Sequence, residues 1–125
     1  MNHLVRVIVA TILCILLAGC YETTPPIQSA SVTSWKSGKP QGTAKQLTDA
    51  QIAKLNVWLE NHRWGWKPVL ATYAPATLLL FTHSDGTISS ANLMKNNLVM
   101  GQSLRSLSET ESQELHSIIG THNGA

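Results

Sequence analysis

A chain of 125 residues with nine Lys/Arg, seven Asp/Glu and a net charge of +2 has the length of one domain. Arg6 falls in an N-terminal apolar segment and the other eight cations are scattered singly from Lys36 to Arg105, which excludes the clustered charge that nucleic-acid phosphates require. Both cysteines, Cys14 and Cys20, also lie in the first 20 residues, so the remaining 105 hold no disulfide framework, thiol nucleophile or cysteine zinc ligand.

The N terminus, MNHLVR, is basic at Arg6 and runs into VIVATILCILL, residues 7–17, an uncharged stretch of eleven. A helix needs about 20 apolar residues to cross a bilayer. The stretch instead fits the apolar region of an export signal. It ends on LAGC, Leu17 to Cys20. Basic start, apolar run and LAGC together resemble the lipobox region of bacterial lipoprotein precursors, over residues 1–20 alone. That resemblance implies a lipoprotein signal peptide over 1–19 and Cys20 as the mature N terminus, carrying thioether-linked diacylglycerol and a third acyl chain. Each buried methylene contributes about 0.8 kcal/mol, so one chain binds marginally and two or three hold firmly. In the Gram-negative sorting pattern an aspartate after the cysteine retains the protein in the inner membrane. Tyr21 stands there, which implies the cell outer membrane, facing the periplasm, with the outer face of a cytoplasmic membrane as the alternative.

Residues 20–46 are rich in Ser, Thr, Pro and Gly and show neither helical nor alternating apolar pattern. They are expected to form a lipidated, disordered tether, because too little apolar surface is available to offset the entropy of ordering. Trp35 interrupts its polarity, either folded back on the domain or touching a membrane or partner. Residues 47–120 are predicted as the globular domain. LTDAQIAKLNVWLENH opens with Thr48 as N-cap, Gln51 closing a capping box, and Leu47 with Ile52 as a hydrophobic staple. Ile52, Leu55, Trp58 and Leu59 supply its apolar stripe, and the helix ends near Asn61. LSETESQELHSIIG repeats the signal, with Ser108 and Glu111 as the box, Leu115, Ile118 and Ile119 as the apolar side and Gly120 as the stop. Residues 121–125 are expected to fray.

Between the helices, VLATYA and TLLLFTH read as strands divided by Pro75. Asp85-Gly86 reads as a type I′ hairpin turn, which sets Leu80 opposite Ala91 and Leu78 opposite Leu93 on the core face. A turn at Lys95-Asn96-Asn97 precedes a short strand, LVM. The expected fold class is α+β, a small three- to four-stranded antiparallel sheet flanked by an N-terminal and a C-terminal helix.

His83, Ser84 and Asp85 are consecutive but sit at a hairpin tip, where alternating side chains cannot build a catalytic triad. His62, His83, His116 and His122 lack metal-pair spacing and read as surface residues, so no metal or cofactor is expected. Glu111 and Glu114 read as a solvated, cap-supporting helix edge. The strongest candidate is NHRWGWKP, residues 61–68, where Trp64 and Trp66 flank Gly65 and are themselves flanked by Arg63 and Lys67. Tryptophan and arginine are frequent anchors of recognition surfaces, and the competing reading is that at least one of the two rings fills the core of so small a domain. A second candidate is the sheet face bearing Leu79, Phe81 and Ile88, exposed only where both helices pack on the other side. With no catalytic constellation in view, a non-enzymatic binding module is expected: lipid-anchored, periplasmic, and in its sharpest form an inhibitor or immunity-type protein acting on an envelope-directed enzyme. The alternative is a structural accessory lipoprotein of an envelope or secretion complex. The partner is expected to be a protein of the cell envelope, not a nucleic acid.

Overall fold

Residues 27–46, expected to belong to a disordered tether, instead form the first two strands of the sheet, β1 (Ile27–Lys36) and β2 (Lys39–Gln46). The computed structural model describes residues 2–17 and 24–121; Cys20 and Tyr21, which carry the anchoring and sorting expectations, and His122 lie outside them. Three buried side chains, Ile27, Ala30 and Val32, explain why a polar segment folds. β1 pairs on one side with β2 and on the other with β4 (Thr77–His83), so its backbone groups are satisfied by two neighbours although its apolar content is low. The turn between β1 and β2 is Ser37-Gly38, both at positive φ (53° and 75°), the conformation of a type I′ hairpin.

A first helix, α1 (Asn2–Leu17), covers the apolar N-terminal run, and no helix among the described residues is long and apolar enough to cross a membrane. After β2 come α2 (Asp49–Asn61), β3 (Trp66–Pro68), β4, β5 (Ile88–Leu93), β6 (Asn97–Met100), β7 (Ser103–Ser106) and α3 (Glu109–Ile119). The α+β class is as expected, but the sheet has seven strands in the order β2-β1-β4-β5-β6-β7-β3, all antiparallel, rather than three or four. Both capping boxes form as the sequence predicts: Thr48 with Gln51, and Ser108 with Glu111. Gly120 closes α3 in the left-handed conformation.

Two expectations for the strands are corrected. VLATYA is not a strand; only Trp66–Pro68 pairs, against β7, and residues 69–76 run as a connection. The β4–β5 register is shifted by one residue, with Leu79 opposite Ala91, Leu78 opposite Asn92 and Leu80 opposite Ser90. The cause lies in the turn. A type I′ loop at Asp85-Gly86 needs positive φ at both residues, and here only Gly86 has it (85°). The His83 amide donates to the Thr87 carbonyl at 2.9 Å and the Gly86 amide to the His83 carbonyl at 3.0 Å, giving a three-residue loop. Asp85 Oδ1 accepts from the Thr87 hydroxyl at 2.6 Å and the Thr87 amide at 3.0 Å, which favours this turn.

Because side chains alternate along a strand, a one-residue slip exchanges the faces. Leu79, Phe81, Ala91, Leu93 and Leu98 therefore make the core with Ile52, Leu55, Trp58, Leu115 and Ile119. Both helices cover this one face. The expected core residues Leu78 and Leu80 project to the other, joined by Ile88, while Leu79 and Phe81 are not a docking surface. The 69–76 connection returns from the β3 edge to β4 across that second face: the Val69 amide donates to the Gln102 carbonyl (2.9 Å), and Asn92, whose side chain points away from the helices, bonds the Ala74 carbonyl (3.0 Å) and Ala76 amide (2.9 Å). Among the described residues, the part of this face around Leu80 and Ile88 stays exposed.

Candidate functional site

The four nominated residues of 61–68 do not share one surface. α2 stops at His62, and Gly65, at φ 87°, turns the chain into β3. Trp66 then points toward the helices and is buried at 3 % exposure, its indole Nε1 donating to the His62 carbonyl at 2.8 Å. That bond satisfies both the indole and a carbonyl at the end of α2. Trp64 stays 54 % exposed. Lys67, next along β3, is exposed on the opposite face from Trp66, and Arg63 lies 3.5 Å from Glu60. Trp66 is a core residue, which corrects its assignment to partner binding.

Around Trp66 the chain builds a polar lock. Trp58 Nε1 donates to Glu114 Oε2 at 3.0 Å, the Trp58 ring stacks on His62 with centroids 3.9 Å apart, and Arg105 lies 5.8 Å from the Trp58 centroid. Arg105 donates to Glu111 Oε2 at 2.8 Å and His62 Nε2 is 3.2 Å from the same oxygen. Burial would raise the Glu111 pKa, but the Ser108 amide hydrogen bond and the Arg105 guanidinium outweigh it and hold the carboxyl below its ordinary value. Glu111 and Glu114 are thus more than a solvated edge. A histidine beside a carboxylate invites a general-base reading, yet both Glu111 oxygens and both His62 ring nitrogens are engaged: Glu111 Oε1 accepts the Ser108 amide, Oε2 meets Arg105 and His62 Nε2, and His62 Nδ1 bonds the Trp58 carbonyl at 2.6 Å. The arrangement ties two helices to the sheet.

His83 and His116 are also buried, against the expectation of surface positions. His83 Nδ1 donates to the Pro25 carbonyl at 2.8 Å and Nε2 pairs with Ser89 Oγ at 2.5 Å. The serine it meets is Ser89, not Ser84. With 3 % exposure and a main-chain carbonyl as its second partner, His83 pins the entering chain to the β4–β5 hairpin. His116 Nδ1 meets the Thr121 hydroxyl at 2.6 Å beyond the α3 cap. Among the described residues no three His, Cys, Asp or Glu side chains group as metal ligands.

A further accessible feature is the exposed part of the second sheet face. No family model matches this chain, and no curated protein or solved structure does either. The face must be judged by its own chemistry. Ser31 is opposite Leu80 and Thr33 opposite Leu78 across β1 and β4, and with Trp35, Ala44 and Ser90 they line a shallow concavity of about 350 Å³. Leu80 is 56 % and Ile88 71 % exposed. No ionisable side chain belongs to this set. Sequence reasoning missed Trp35, Leu78 and Leu80 as one surface because it placed Trp35 in a tether and took the two leucines for core. The Ser-Gly pair at 37–38, preceded by SVTSW, was the available signal for the hairpin that brings Trp35 alongside them.

Proposed function

We propose that this chain is a lipid-anchored binding protein of the bacterial envelope, held through acylated Cys20 in the outer membrane and facing the periplasm. It engages a protein partner through the open half of its sheet. The observation that carries this reading is the uncharged, partly apolar patch formed by Trp35, Leu78, Leu80 and Ile88, left bare by helices that pack together on the opposite face. Interface centres are depleted of charge and enriched in aromatic residues, and the fitting occupant is a folded protein presenting a similarly uncharged apolar surface. In its sharpest form the domain covers the cleft of an envelope-directed enzyme and so inhibits it. Small hydroxyls between the leucines keep the patch hydrated in the absence of the partner.

The test places a photoreactive residue at Leu80 in the full chain and irradiates the native host. One defined envelope protein should be caught, and Leu78→Glu should lower its capture about tenfold or more, as loss of a central anchor does. Capture unchanged by Leu78→Glu contradicts the reading, and recovery of a large assembly in place of one protein favours the structural-accessory alternative.

A further inference from the structure

We propose that the edge where the chain leaves the domain toward Cys20 is a lipid-facing surface, with Arg63 and Trp64 seated in the headgroup layer of the anchoring bilayer. This rests on the acylation of Cys20 proposed above. Three residues, Tyr21 to Thr23, separate Cys20 from Thr24. An extended chain spans at most about 3.6 Å per residue, so Thr24 lies within about 15 Å of the acylated residue. The long tether expected from composition would have allowed far more.

The exit itself is fixed. The Pro25 carbonyl accepts from His83 Nδ1 (2.8 Å), the Pro26 carbonyl from the Ser84 amide (2.8 Å), and Asn56 of α2 bonds both the amide (2.8 Å) and the carbonyl (2.9 Å) of Ile27. A helix and a hairpin thus hold the last residues before the membrane, and the short link determines which edge of the domain faces it. Arg63 is on the rim of that edge: with Thr24, Pro25, Pro26 and Glu60 it lines one concavity of about 80 Å³. Thr24 also shares a second one with Trp66 and Ser103. Trp64, the exposed ring, lies between Arg63 and Trp66 in the chain.

The chemistry suits a bilayer surface. Headgroup layers add roughly 5 to 8 Å on each side of the hydrocarbon, which lies within reach of a domain held by so short a link. Tryptophan concentrates at that depth, where its ring meets apolar chains and its N–H meets water or phosphate. An arginine near an anionic leaflet favours the bound orientation by about fivefold. The Glu60 contact does not compete strongly, being an exposed pair. The basic hairpin tip at Lys36 and Lys39 lies at the far end of β1, nine residues from Ile27 and about 30 Å away, beyond contact with the same leaflet.

The acylated full-length mature protein, reconstituted into phosphatidylethanolamine–phosphatidylglycerol vesicles containing a lipid with a quencher at headgroup depth, tests this by tryptophan fluorescence. Of the four tryptophans, Trp58 and Trp66 are buried and Trp35 belongs to the sheet face. Wild type should be quenched, Trp64→Phe should lose most of the quenching, and Arg63→Glu should lower the docked fraction at least about fivefold. Quenching equal in wild type and Trp64→Phe, with acylation and vesicle binding intact, overturns the orientation while leaving the anchored reading in place. Quenching that survives Trp64→Phe and disappears in Trp35→Phe places the sheet face on lipid and overturns it as well. A protein mass without acyl chains removes the basis of both proposals.

Discussion

Glu111 shows how one side chain can serve several elements. Its Oε1 caps α3 and its Oε2 receives Arg105 from β7 and faces His62 at the end of α2. Because its folded pKa is depressed, the stability it contributes is present above the unfolded glutamate pKa, about 4.3, and is lost as pH falls through the lower folded value. Glu111→Gln should therefore cost about 1–2 kcal/mol in denaturant titration at neutral pH, and its deficit relative to wild type should shrink as the pH drops below about 4. A deficit independent of pH would show that the carboxylate's charge is not what matters. The two tryptophans of 61–68 make a second contrast. Trp66→Ala, emptying a core site and leaving the His62 carbonyl without its donor, should destabilise by about 3–5 kcal/mol, whereas Trp64→Ala should change stability by less than about 1 kcal/mol. Spacing alone cannot separate these residues. The sequence shows two rings around a glycine, and only the pairing of Trp66 with Arg105 across β3 and β7 decides which ring is buried.

At the level of elements, legibility followed locality. Helix starts at Thr48 and Ser108 and the stop at Gly120 are written within four residues of chain, and all three formed as expected. The β4–β5 hairpin was recognised but misregistered, because the choice between a two-residue and a three-residue loop turned on the φ of Asp85, which no pattern of apolar residues records. β1 and β2 were missed for another reason. β2 buries no side chain, and β1 is held by ladders to partners as distant in sequence as His83. These strands are nevertheless integral to the fold: removing residues 21–46 would expose the edge of β4 and delete Ile27, Ala30 and Val32 from the core. The truncated chain should lose cooperative unfolding and near-ultraviolet circular dichroism. A truncated chain that still melts in a single sharp transition would show the hairpin to be an appendage.

Across the whole molecule, recasting the tether as part of the sheet changes what anchoring means. A domain on a 25-residue flexible segment would wander some 25–30 Å from its attachment point. With the Pro25 carbonyl fastened to His83, the proposed acylation of Cys20 would instead keep the body beside the leaflet and present its open sheet face from a constrained position. The proposed anchor rests on the first 20 residues alone, whereas the candidate face depends on where α2 and α3 settle, a long-range outcome of burying Leu79 and Phe81 instead of Leu78 and Leu80. The proposed anchor and the proposed presentation of this face both depend on the chemistry of Cys20. Intact-mass measurement of the polypeptide extracted from host membranes should find a chain beginning at Cys20 and heavier than its amino acids by two or three acyl chains and a glycerol. A chain that retains residues 1–19, or an unmodified Cys20 thiol on protein recovered from the soluble fraction, would contradict it.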